Sequence, residues 1–549
     1  MTLPIIAVVF LLFISLAYHF YGGWVARQFE LDDARITPAH THEDGVDYVP
    51  TRPFYLFAQH FSAIAAAGPI AGPIVACQHF GWLPCLLWIS LGVVTIGAVH
   101  DFASLTLSVR HGGHSIADVT GSIMGKTAGR AMMTFIWIAL LYIIVAFTDI
   151  TAGSFVSRPE EMAGLDLNFH PGGAVAAASI GYMLISVALG LVEKYLRPPM
   201  WLSTIIFVPL TFATCWAGTY YSEIFIFSAT TWAMIILVYC AIASVVPVWI
   251  LLQPRGYLGG FILYSAIGLG IIGVFFGGYE IKQPAFTSFD PIAGGSLFPF
   301  LFVTIACGAC SGFHGLVCSG TTSKQIDKEK HMHHVGYGAM LAEGFVALIA
   351  LAIVMIMAPE DIKGLKPGTI YGRGLGEFLT LIIGREHMAF AITFGAMAFS
   401  TFVFDTLDVS TRLGRYLIQE LTGMKGKAGA ALGTLLTLAI PGLILFTMQE
   451  GSWSKFWTLF GASNQLLAAL SLLSITLWLH EQRKRIAFTL LPMLFVLGIT
   501  FWALIKMTYS NWQLTQGVDV ALLNSGASLA LLLLAVYLVV VALIKVRRS

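Results

Sequence analysis

His60-Phe-Ser-Ala-Ile-Ala-Ala-Ala-Gly-Pro-Ile-Ala-Gly-Pro73 carries two Gly-Pro pairs four residues apart. It lies inside an apolar run, residues 52–77, that is long enough to cross a bilayer as a helix. Each proline removes a backbone donor and clashes with the preceding turn, and each glycine lets the chain leave helical geometry. In hydrocarbon, such an interruption survives only where the freed backbone groups line a cavity. The stretch therefore predicts a broken helix deep inside a bundle of spanning helices.

The rest of the chain supports a bundle. Of 549 residues, 57% are hydrophobic and only 11% are charged. Soluble domains carry roughly a quarter charged residues, so most of this surface must face lipid. The formal net charge of +1 suggests no nucleic-acid partner. Seven cysteines, an odd number set in apolar runs, argue against a disulfide framework. The first apolar run lacks a basic leader and a small-residue cleavage site, and reads as a retained helix.

Runs of about 20 apolar residues recur near 2–24, 52–77, 82–108, 128–155, 172–192, 200–220, 228–250, 257–279, 296–320, 335–357, 387–417, 427–447, 453–479, 485–507 and 519–545. They predict an all-α polytopic protein of about 15 spans. A shorter run, Gly368 to Gly384, is interrupted by Arg373, Gly374 and Gly376 and reads as interfacial or re-entrant. With the N-terminus outside and the C-terminus inside, 22 of the 30 Lys and Arg fall on the cytoplasmic side and eight outside. That asymmetry follows the positive-inside rule.

A second weak helix is Cys307-Gly-Ala-Cys-Ser-Gly-Phe-His-Gly-Leu-Val-Cys-Ser-Gly-Thr-Thr322. Seven spans separate it from the first, so the two run in opposite directions. Paired interruptions in opposed halves point to a secondary-transporter site at the midplane. Two spans beyond each break an acid stands beside hydroxyls, in Phe147-Thr-Asp-Ile-Thr151 and Phe404-Asp-Thr-Leu-Asp-Val-Ser-Thr411. The expected division is one transporter domain, 1–549, with a first inverted repeat at 52–220 and a second at 296–479. Residues 1–51, 228–279 and 485–549 are additional. From the first break, His60, Ser62, Gly68, Pro69, Gly72 and Pro73 are substrate-binding candidates. From the second come Cys307, Gly308, Ser311, Gly312 and His314. The segments Gly68–Pro73 and Cys307–Gly312 are expected to be non-helical and to face one another across a cavity.

Ionisable groups inside a bilayer are functional candidates by default. Asp149, Asp405 and Asp408 are the candidates for ion coupling, because a buried carboxylate can carry a proton near neutral pH. For Asp408 the alternative is an i, i+4 ion pair with Arg412. His100 and Asp101 read equally as a structural pair or a proton site. Glu343 is a further intramembrane acid, whereas Glu193 and Glu450 read as ordinary helix ends. Cys307, Cys310, His314 and Cys318 invite a zinc reading, but one continuous helix cannot converge four ligands on a point. The His331-Met-His-His334 run reads as a solvated loop. No cofactor or metal is called for.

At these same residues the sequence resembles the carbon-starvation family, the CstA-type peptide and pyruvate transporters. The matching stretches include Asp44-Gly-Val-Asp-Tyr-Val-Pro50, His60 to Pro73, Gly81-Trp-Leu-Pro84, Gly97-Ala-Val-His-Asp-Phe102 and Thr304 to His314. Ser319-Gly-Thr321, Thr406 to Arg415 and Phe460-Gly-Ala-Ser-Asn-Gln465 match as well. Asp405, Cys310 and Cys318 depart from the pattern, where uncharged or hydroxyl residues are expected. The resemblance implies a bacterial inner-membrane importer of peptides or pyruvate, proton-driven, used when carbon is scarce, with a LeuT-like inverted repeat. Sodium, held by carbonyls near Ala65 and Gly68 with Ser410 and Thr411, is the alternative coupling ion. A sensor without transport would need a signalling domain, and none is visible. An enzyme would need a nucleophile and base set, and none stands out.

Overall fold

The computed structural model describes residues 2–45, 47–159, 169–291, 295–447, 453–515 and 519–548. Its main helices, in chain order, are α1 Leu3–Phe29, α2 Pro53–Ile64, α3 Gly68–Phe80, α4 Trp82–Arg110, α5 Lys126–Phe155 and α6 Pro171–Tyr195. Then come α7 Met200–Tyr220, α8 Ala229–Val245, α9 Leu252–Phe276, α10 Leu297–Thr304, α11 Gly312–Gly320 and α12 His333–Met355. The last six are α13 Pro367–Ile383, α14 Met388–Thr422, α15 Gly426–Thr447, α16 Trp453–Glu481, α17 Ala487–Leu514 and α18 Val520–Arg548. Among the described residues the β-structure is a single bridge, Thr51 to Ile326.

Among the described residues twelve helices are long and apolar enough to cross a bilayer, or up to 13 with α2 and α3 taken as one span bent by 44°. Every expected apolar run finds a helix or a pair of half-helices. Two fall short of spanning length: α8 has 17 residues, and the run at 296–320 is split into α10 and α11, of 8 and 9 residues. Residues 368–384 differ from expectation. Up to Ile383 they lie in one uninterrupted helix, α13, because Gly372 and Gly376 press against Ala396 and Ile392 of α14 instead of breaking the chain.

The chain divides into two compact units. One comprises Ile6–Ala139, Ala285–Leu348 and Trp457–Ser549 and holds both broken helices. The first break falls at Ala65–Ala67, and the chain is helical again from Gly68 through Pro73, three residues earlier than expected. Pro69 explains the shift. A proline clashes with the carbonyl four residues back, here that of Ala65, while its own place in the first turn of α3 needs no donor. The second break covers Ile305 to Ser311, and protein side chains hold the backbone around it. Trp88 Nε1 donates to Ile305 O (3.1 Å), Trp457 Nε1 to Thr304 O (3.2 Å) and Gln465 Nε2 to Phe302 O (2.8 Å). On the far side Asn464 Oδ1 accepts from Phe313 N–H at 2.8 Å. Protein side chains thus satisfy these freed polar groups, as a low-dielectric interior requires.

Three π-helical segments in this unit, Tyr18–Gly22, Val93–Gly97 and His333–Gly338, meet at Tyr337. Its hydroxyl donates to Val94 O at 3.0 Å, and its ring lies over Gly22. The His331–His334 run is helical, not a solvated loop. His333 stacks on Tyr18 and His334 on Phe57, both with centroids 4.6 Å apart. Arg110 and Arg35 both pair with buried Glu329 at 3.1 Å. Lys484, 2.9 Å from Glu30, holds that carboxyl below its usual range.

The other unit comprises Met1–Ile5, Leu140–Pro284 and Ile349–Phe456. Its axis is α14, 35 residues long. Ser179 of α6 and Ser400 of α14 share a hydrogen bond at 2.8 Å in its buried core.

Candidate functional site

In the first unit the two breaks touch. A Cβ placed on Gly68 would overlap Cys307, and one on Gly72 would lie 2.8 Å from Thr304 O. Only residues without side chains fit there, which is the reason for glycine at both positions. Gly308 packs between Pro69 and Ala347 of α12. The expected facing of the two segments is therefore correct in partners, but they meet in van der Waals contact and not across a cavity. Cys307 and Ser311 lie in the break, where both hydrogen-bond Asn464. Gly312 and His314 open α11. Pro73 is buried within α3, and Ser62 is half-buried on α2.

Beside this contact lies a chain of buried ionisable groups. His314 places Nδ1 2.8 Å from Asp101 Oδ2 and Nε2 3.2 Å from Glu343 Oε2. His100 Nδ1 lies 2.8 Å from Asp101 Oδ1. None of the four side chains is more than 1% exposed. His100 and Asp101 come from α4, His314 from α11 and Glu343 from α12, so three helices converge. Gly315 allows the approach, since its backbone sits against the His100 ring. His60 of α2 lies alongside, with Nδ1 2.9 Å from Thr322 Oγ1 and Nε2 3.9 Å from Cys318 Sγ. Cys318 in turn donates to Asp101 O at 3.4 Å. Cys307 turns instead to Asn464, so the Cys and His residues of this segment serve separate partners. All seven cysteines are free thiols.

The second unit holds the three acids predicted for coupling. Asp149 is half-buried on α5. Asp405 and Asp408 share one face of α14, as their i, i+3 spacing implies, and both reach the guanidinium of Arg255 on α9. Asp405 Oδ1 lies 2.5 Å from Arg255 Nη2. Asp408 pairs with Nη1 and accepts from the Tyr239 hydroxyl at 2.8 Å. The i, i+4 pairing of Asp408 with Arg412 is corrected: Arg412 Nη2 donates to Ala243 O and Val246 O, at 2.6 and 2.7 Å. It satisfies carbonyls left open at the C-terminal end of α8. Arg255 itself, 2% exposed, belongs to the core. Helix α9 begins at Leu252, with Pro254 in its first turn where proline is tolerated.

Sequence reasoning missed Arg255, Tyr239 and Asn464 as site residues and left Glu343 without a partner. Asn464 stands in the motif Phe460 to Gln465, so a signal existed for it. Glu450 lies outside the described residues.

A many-span helical protein that buries ionisable groups beside two touching helix breaks has the architecture of a membrane transporter. The sequence matches the family of carbon starvation protein CstA over residues 1–372 and 364–503. The chain belongs to that family. It is 34% identical to the peptide transporter CstA of Campylobacter jejuni, over 89% of this chain and 78% of the relative. With the peptide transporter CstA of Bacillus subtilis it shares 32% over 97% and 95% of the two chains. With the pyruvate/proton symporter BtsT of Escherichia coli it shares 30% over 91% and 81%. Among solved structures, MhsT in complex with L-phenylalanine aligns at a TM-score of 0.46 and 12% identity, covering 90% of this chain and 98% of the other. A manganese transporter of Eremococcus coleocola aligns at 0.43 and 15%, covering 92% and 99%.

Proposed function

We propose that this transporter imports a small carboxylate-bearing nutrient, a peptide or pyruvate, across the bacterial inner membrane when carbon is scarce, and that protons drive it. The observation that carries this reading is the contact of the two breaks, Gly68 against Cys307, next to a buried chain of carboxylates and imidazoles. The names of the relatives, peptide transporters and a pyruvate/proton symporter, support it. Substrate binds around His60, Ser62, Gly68, Pro69, Gly72 and Pro73 on one side and Cys307, Gly308, Ser311, Gly312 and His314 on the other. The N-terminus lies outside and the C-terminus in the cytoplasm, with about 15 membrane passes. The two inverted repeats, 52–220 and 296–479, are supported by the interleaving of the compact units along the chain, one drawing on Ile6–Ala139 and then Ala285–Leu348, the other on Leu140–Pro284 and then Ile349–Phe456.

The test is uptake of labelled pyruvate and labelled dipeptide by proteoliposomes under an imposed proton or sodium gradient. Accumulation of one of them under the proton gradient is the expected result. Accumulation under sodium alone overturns proton coupling. A protein that moves neither substrate under either gradient overturns the reading as a whole.

A further inference from the structure

We infer that the group taking up the driving proton is Glu343, acting through His314 and Asp101. This rests on the proton-driven reading above and names the site that reading lacks. Hydrogen-bond counting carries it. A neutral imidazole has one N–H, yet His314 faces a carboxylate with each ring nitrogen. Either His314 is protonated between two carboxylates, or it is neutral and one carboxyl holds the proton. Both arrangements carry one net negative charge, with His100 neutral and donating from Nδ1 to Asp101. One further proton makes the quartet neutral, and burial away from water favours that form.

Glu343 is the place for that proton. Both oxygens of Asp101 accept hydrogen bonds, from His100 and His314. Among the described residues Glu343 meets only His314, at a longer 3.2 Å through Oε2, and its Oε1 has no partner. The ionised form of Glu343 is thus the least compensated charge in the quartet. The other groups around it fit this assignment. His60 on α2 is held by Thr322, and the thiols of Cys307, Cys310 and Cys318 are buried beside Glu343 or Asp101. In the other unit Asp405 and Asp408 share one permanent cation, Arg255, and Asp408 also accepts from the Tyr239 hydroxyl.

The proton state also has a mechanical outlet. One turn beyond Glu343 on α12, Ala347 packs against Gly308 in the second break, which packs against Pro69 of the first. Protonation leaves a neutral cluster compatible with the closed contact. Loss of the proton to the cytoplasmic side leaves one buried negative charge, which favours the conformer that wets the cluster. One proton is bound and one released per cycle.

The test uses the full-length protein in proteoliposomes with whichever of labelled pyruvate and labelled dipeptide the parent accumulates. At one proton per substrate, one pH unit supports at most about tenfold accumulation. Glu343→Gln is expected to equilibrate substrate and to exchange it across the membrane, but not to concentrate it, and a trapped pH dye is expected to show no accompanying proton flux. A proton-driven parent with an equally concentrating Glu343→Gln overturns this inference alone. A parent driven only by sodium overturns the proton reading itself. If Glu343→Gln does not exchange substrate, Glu343→Asp decides: a displaced pH midpoint of uptake supports the assignment, and an unmoved midpoint overturns it.

Discussion

Gly68→Ala tests the contact between the breaks. A Cβ on Gly68 lies 2.6 Å from the Cβ of Cys307 and overlaps its Sγ. Rotating χ1 of Cys307 relieves the sulfur but not the Cβ, so the backbone of one break must move. Carbon atoms at rest sit about 3.5–4.0 Å apart, so the overlap is about 1 Å. Overpacking of this kind costs about 1–3 kcal/mol, a factor of roughly 5–150 in an equilibrium. The penalty falls on the conformer in which the breaks touch. If transport passes through that conformer, initial uptake in proteoliposomes falls by up to that factor, with substrate affinity changed as well. Rescue sharpens the test. Gly68→Ala with Cys307→Gly is expected to recover uptake, whereas Gly68→Ala with Cys307→Ala is not, because alanine keeps the offending Cβ. Gly268→Ala, where an added Cβ meets nothing within 4 Å, is the control and should be neutral. A Gly68→Ala variant at parental rate, or equal rescue by Cys307→Ala and Cys307→Gly, would refute the reasoning.

Three further outcomes are expected. Asp408→Asn should lower the melting temperature of the purified protein more than Asp405→Asn. It loses both Arg255 and the Tyr239 hydroxyl from a fully buried position, where breaking a pair costs about 3–5 kcal/mol, while Asp405 is 27% exposed; the opposite order would contradict the described pairing. Asn464→Ala should destabilise by about 1–2 kcal/mol, the scale of a lost helix cap, since it frees Phe313 N–H and Ser311 in a buried site; an unchanged melting curve would count against the cap. Arg255→Met should destabilise strongly alone, and adding Asp405→Asn and Asp408→Asn should recover part of the loss, because apolar or neutral replacement of a whole buried ion cluster is tolerated; no recovery in the triple variant would count against a charge-matching role.

The fold was legible because lipid leaves little choice: a chain with 11% charge and repeated apolar runs can satisfy its backbone only as helices or a closed barrel, and runs of about 20 residues select helices. The breaks were legible from Gly and Pro, but the first was placed three residues late, since the effect of Pro69 falls on the carbonyl of Ala65 and not on Pro69 itself. The pairing of Asp408 was misread for a related reason. The i, i+4 rule sees only its own helix, and the actual partner, Arg255, comes from another. Arg255 was hidden by its place at the edge of an apolar run, behind Pro254, where hydropathy suggests the run has not yet begun. Glu343 was visible as an acid in an apolar run, yet a lone carboxylate says nothing about what faces it. Only packing three helices together shows that His314 stands between Glu343 and Asp101.

The two indole N–H groups that hold Ile305 O and Thr304 O have a practical consequence. Trp88 and Trp457 are buried, each with its nitrogen on a carbonyl that an intact helix would have used internally. Their ring environments are therefore tied to the state of that non-helical stretch. With fluorine introduced biosynthetically into the 13 tryptophans, and Trp88→Phe and Trp457→Phe used to assign the two signals, the molecule supplies its own pair of magnetic-resonance reporters. Opening or refolding of residues 305–311 would register as a chemical-shift change at both, in detergent or lipid, without an external probe attached to the protein.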